Sequence, residues 1–118
     1  MKPDFPSSIR VGYRTYRIEV WHPAAASGAR RYGEASHMER VLRIDLSLGP
    51  IQAAETLIHE IFHAISAASY NQDLFSGKDE ERAVVGVSAG LTQVLRDNMG
   101  LRDWLYWAWA QEDCPDDL

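Results

Sequence analysis

The sequence predicts an α+β fold, with a short antiparallel sheet first and three helices after it. Strand-like segments crowd into the first 48 residues, where apolar and polar side chains alternate with a period of two. After Gly49 the apolar residues recur at three and four, the helical spacing. The two patterns do not interleave as in a βαβ chain, so sheet and helices come from separate stretches. A chain of 118 residues suits one domain with one modest core. The expected organisation is a single domain over 1–118, with 1–8 and 111–118 flexible.

Residues 1–8 hold two prolines and two serines and read as a loose lead-in. "IRVGYRTYRIEVW" follows, rich in β-branched and aromatic residues. Ile9, Val11 and Tyr13 share one face, then Tyr16, Ile18 and Val20 share the next. That change of phase near Gly12 to Thr15 predicts a bulge or a tight hairpin. "HPAAASGAR" is a loop punctuated by Pro23 and Gly28. "RYGEASHMERVLRIDLSL" predicts two short strands around a turn, with Leu42, Ile44 and Leu46 alternating against Arg43 and Asp45.

Gly49 suits a helix N-cap, and Pro50 suits the first helical position, where a missing N–H costs nothing. Ile51, Ala54, Leu57, Ile58, Ile61, Ile65 and Ala68 then make one wide apolar stripe. "NQDLFSGKDE" is a polar connector. A second helix is expected from about Asp79 to Asn98, with Val84, Val87, Leu91, Val94 and Leu95 on its apolar face and Gly100 at or past its end. "LRDWLYWAWA" predicts a third helix, with Trp104 sharing a face with Leu101, Leu105 and Ala108. Trp107 and Trp109 fall off that face and suggest an exposed apolar patch. The acidic end "QEDCPDDL" is expected to be disordered.

Composition narrows the function classes. Apolar content of 46% and charged content of 25% are ordinary for a soluble globular chain. A net charge of −5 argues against a nucleic-acid partner, which calls for a basic face. The lone cysteine, Cys114, forms no internal disulfide and excludes a cysteine-rich metal site. "MKPDFPSSIR" lacks the apolar core of a signal peptide, and no apolar run approaches a membrane span. The expected location is therefore the cytoplasm, with no membrane partner.

The chemistry lies in "TLIHEIFHAI", residues 56–65. Side chains four apart lie on one helix face, so His59 and His63 can aim two imidazole nitrogens at one point. Glu60, rotated by about 100°, can flank a cation there and take a proton from a water activated by it. The neighbours Leu57, Ile58, Ile61, Phe62, Ala64 and Ile65 are uncharged and do not compete for the metal. The competing reading is a packed helix that happens to carry two imidazoles.

A catalytic Zn2+ takes three protein ligands and keeps one position open. A third histidine six residues past His63 is excluded, because that residue is Ser69, and His22 and His37 lie in the strand and loop region. Glu80 and Glu81 open the second helix, which returns toward the first. Glu81 shares a side with Val84, Val85 and Ser88, the side expected to meet the first helix, and is favoured, with Glu80 close behind. The "DEE" run also complements the helix dipole. For the oxyanion of a hydrolysis, His37 and Tyr70 are candidate donors. Asp97, Asn98 and Ser88 are candidate partners for the ligands' other nitrogens. An extended peptide is expected to pair with an edge strand near Met38 to Leu46.

"TLIHEIFHAI" with a glutamate on the next helix resembles the gluzincin type of zincin metallopeptidase. "YGEA" at 32–35, the helix motif at 56–64 and "EERAVVGVSAGLTQVLRDN" at 80–98 resemble small metallopeptidases of phages and prophages, and more distantly the ImmA/IrrE type. The resemblance covers about residues 30–98. It implies a minimal zincin-like domain, a zinc cofactor held by His59, His63 and Glu81 (Glu80 being the neighbouring choice), Glu60 as general base, and a peptide or protein substrate. The chain holds almost nothing outside that core, so a separate substrate-binding subdomain is not expected. Two other readings stand beside the peptidase: a regulatory protein that keeps zinc as structural support, and a metal-free interaction module.

Overall fold

The computed structural model describes residues 2–21, 32–68 and 80–111, without the side chains of 80–82. It is α+β. Strands β1 (Ser8–Val11), β2 (Arg14–Val20), β3 (Gly33–Ser36) and β4 (Val41–Ile44) precede helices α1 (Pro50–Ala68), α2 (Glu80–Asp97) and α3 (Met99–Trp109). The change of phase after Val11 is a tight hairpin. Val11 pairs with Arg14, and Gly12 supplies the left-handed φ of 63° that the turn requires. Tyr13 therefore sits in the turn, 71% exposed, and does not share the buried face of Ile9 and Val11.

The sheet order is β1-β2-β4-β3. β1–β2 and β3–β4 are antiparallel, but β2 and β4 run parallel, so the sheet is mixed and not purely antiparallel. The strand composition explains why β4 is inside. Val41, Leu42 and Ile44 are all fully buried, as suits a strand with a neighbour on each edge. β3, "GEAS", carries no large apolar residue and takes the edge. The expected edge from Met38 to Leu46 is thus corrected: Met38 lies in the β3–β4 turn, 98% exposed, and β3 is the edge.

β1 is the opposite edge, and α2 covers it. Asn98 accepts from Arg10 N–H at 2.8 Å and donates to the Arg10 carbonyl at 2.9 Å. Gln93 accepts from Gly12 N–H at 2.7 Å. These amides replace a neighbouring strand. Asn98 leaves the helical conformation to do so and ends α2, so Gly100 falls inside α3.

Gly49 caps α1: its carbonyl accepts from Ala53 N–H at 2.8 Å. Asp45 holds the β4–α1 link by accepting from the N–H and hydroxyl of Ser47. Leu57, Ile61, Ala54 and Ala64 of α1 pack with Ile9, Tyr16, Leu42 and Ile44 of the sheet and with Leu101, Trp104 and Leu105 of α3 in one core. Trp104 is buried with Leu101, Leu105 and Ala108, as expected, and Trp109 is exposed, while Trp107 packs against the core. The lead-in docks: Phe5 meets Trp104 edge-on at 4.9 Å, and Ser7 accepts from Ile18 N–H. Residues 112–118, with Cys114, lie outside the described residues. Among the described residues no helix is long and apolar enough to cross a membrane.

α2 meets α1 through small residues. A Cβ at Gly90 would overlap Ile65, so the helices touch there nearly backbone to side chain. That contact turns Val84 and Val85 outward, 51% and 58% exposed. The side that includes Val84, Val85 and Ser88 is therefore a solvent face, which corrects the expectation that it meets α1.

Candidate metal centre

Three helical turns of α1 and the open edge of the sheet enclose one cavity of about 640 Å³. Gln52 to His63 form one wall, Tyr32 to Ala35 the other, and His37 closes part of the rim. The apolar stripe of α1 faces the core, so the residues beside it on the helix, His59 and His63, fall on the cavity side, both exposed.

The two imidazoles face each other, ring centroids 4.9 Å apart and planes at 74°. Their Nε2 atoms stand 3.2 Å apart. Two ligands of a tetrahedral cation at about 2.0–2.1 Å stand about 3.3–3.4 Å from each other, so the pair fits a shared metal with little movement. In the metal-free chain one Nε2–H donates to the other nitrogen across the same gap. Glu60 lies beneath, 7% exposed. One ligand atom from each of His59, Glu60 and His63 lies within 4.8 Å of the others, and this is the only such group among the described residues. The group can hold a metal ion.

Gly33 sets how closely the edge strand approaches. A Cβ there would stand 2.9 Å from both the Arg43 carbonyl and the Thr56 methyl, and 3.3 Å from Glu60 Cγ. Thr56 turns its hydroxyl to the Gln52 carbonyl at 2.9 Å, leaving its methyl to Gly33. Glu34, next along the strand, pairs with Arg43 at 2.8 Å, and Arg43 also bridges Glu19 and Glu39.

His37 lines the cavity, and its Nδ1 lies 3.1 Å from the buried hydroxyl of Tyr16. Burial first, then the charges of His63 and Arg14, hold its imidazole below the ordinary 6.5. The other expectations fall elsewhere. Glu80 and Glu81 open α2, but their side chains, with Tyr70 and His22, are outside the described residues. Asp97 pairs with Arg96 and Gln93, and Asn98 serves the β1 edge, so neither supports the histidines. Tyr16 and Gly33 had no role assigned from sequence. Gly33 carried a signal as the centre of "YGE", whereas Tyr16 reads as one more apolar core position.

No protein-family model matches the chain, and no curated protein or solved structure matches it.

Proposed function

We propose that the protein is a zinc-dependent peptidase. The observation that carries this reading is the convergence of the His59 and His63 Nε2 atoms, 3.2 Å apart, over the buried Glu60 carboxylate beside an open sheet edge. His59 and His63 would hold the cation, with a carboxylate from the start of α2 as third ligand. Glu81 was favoured for that role on a face that proves exposed, so Glu81 and Glu80 now stand level, and zinc titration of Glu80→Gln and Glu81→Gln separates them. A bound zinc supplies Lewis-acid polarisation of a carbonyl and brings the pKa of water toward neutrality.

The chain's own groups do the rest. β3 offers backbone donors and acceptors to an extended peptide and lays it along the cavity. Glu60 takes a proton from the attacking water as its oxygen bonds to the carbonyl carbon. The C–N bond then breaks, and Glu60 passes that proton to the departing amine, leaving a carboxylic acid and an amine. His37 donates to the carbonyl oxygen as charge develops on it.

Glu60→Gln tests the assignment. Zinc per chain stays near one, while hydrolysis of a peptide mixture falls by about 10²–10⁴-fold. Loss of zinc in that variant, or retained hydrolysis, contradicts the role given to Glu60. A wild-type protein that holds zinc and cleaves nothing would favour a zinc-stabilised partner-binding protein instead.

A further inference from the structure

Tyr16 lies wholly inside the fold, 0% exposed, although its hydroxyl is polar and needs partners. Its hydroxyl has one hydrogen-bond partner among the described residues. His37 Nδ1 is 3.1 Å away. Arg14, two residues earlier on the same side of β2, donates instead to the Tyr13 hydroxyl, at 3.3 Å.

The single Tyr16 hydroxyl proton therefore has one place to go, the His37 ring. If Nδ1 of His37 carried the ring proton, the hydroxyl could only accept from it. Its own proton would then be buried without an acceptor among the described residues, a costly arrangement. With the proton on the other nitrogen the pair is satisfied: Tyr16 donates to Nδ1. Nδ1 is then occupied, and the nitrogen left for the cavity is Nε2, bearing hydrogen.

We propose that Tyr16 is a positioning residue: its hydroxyl donates to Nδ1 of His37 and keeps that ring as the neutral Nε2–H tautomer, a hydrogen-bond donor to the cavity and not a metal ligand. The ligand-forming group agrees, since it gathers His59, Glu60 and His63 without His37. A protonated Nε2 has no lone pair for a cation, and it is the form a growing oxyanion needs. This use of the donor rests on the peptidase reading, but the tautomer does not.

Long-range proton–nitrogen NMR of the metal-free protein near pH 7.5, above the ordinary imidazole range, reads the tautomer directly. In the wild type, His37 should show a pyrrole-like Nε2 and a pyridine-like Nδ1. In Tyr16→Phe, which removes one oxygen atom, both shifts should move toward the average of the two tautomers. A wild-type His37 protonated on Nδ1, or a pattern unchanged in Tyr16→Phe, overturns the proposal. Zinc titration of His37→Gln is the second arm, and it needs no Tyr16 variant to fold. Affinity should stay at the wild-type value; a loss of about tenfold or more, the size found when a metal's supporting groups are removed, makes His37 part of the metal's own shell and also overturns it. A wild type that binds no zinc sinks the metal site while leaving the tautomer measurement to stand or fall alone.

Discussion

His37 is the residue whose ionisation ties the site to the fold. Its folded-state pKa lies below the ordinary 6.5, chiefly through burial and then through His63 and Arg14. Above 6.5 the ring is neutral in folded and unfolded chains alike, and its contribution to stability is fully present. As pH falls through 6.5 the unfolded chain takes up a proton that the folded chain refuses, and stability is lost until the folded pKa is reached. Urea midpoints of the metal-free protein at pH 7.5 and 5 should therefore fall further for the wild type than for His37→Gln. An equal fall in both would mean that the surroundings of His37 do not resist its charge. The His59–Glu60–His63 group was legible in sequence because the i, i+4 rule is local to one helix. The part played by Tyr16 was not, because the partner of a buried hydroxyl is chosen by residues 21 positions away.

Two glycines set how elements approach one another, and their substitutions separate stability from function. Gly90 lies against Ile65 where α2 crosses α1. Gly90→Ala should destabilise by about 1–3 kcal/mol through overpacking, with zinc affinity unchanged. Gly33 lies against Thr56 and Glu60. Gly33→Ala should cost a similar amount and, in addition, lower peptide hydrolysis by moving β3 off the Glu60 side of the cavity. Chemical denaturation with zinc titration and peptide turnover reads both variants, and a Gly33→Ala variant with wild-type turnover would show that Glu60 does not depend on that contact. Element types were readable from periodicity, but their faces were less so. Val84 and Val85 looked like interface residues because valine is apolar, yet the close approach to Ile65 falls at Gly90 and leaves the valines outside. β4 was read as half-buried from Arg43 and Asp45, whereas its apolar run Val41, Leu42 and Ile44 marks a central strand.

Across the whole molecule, the helices pack on one side of the sheet and leave its two edges in different states. Asn98 and Gln93 occupy the β1 edge, while β3 borders the cavity that holds the histidines. The α+β class was legible because strands and helices occupy separate stretches. The strand order was not, since a parallel β2–β4 pair depends on how the chain crosses between residues 21 and 32, where the sequence carries only loop signals. Fold and site meet in one claim: α1 presents two imidazoles and a buried carboxylate as a cation site. Metal analysis of the purified protein after dialysis against zinc tests it most directly. The wild type should retain close to one zinc per chain, and His59→Ala or His63→Ala, folded by circular dichroism, close to none; a folded wild type that retains no zinc, or a His63→Ala variant that retains it fully, would contradict the account.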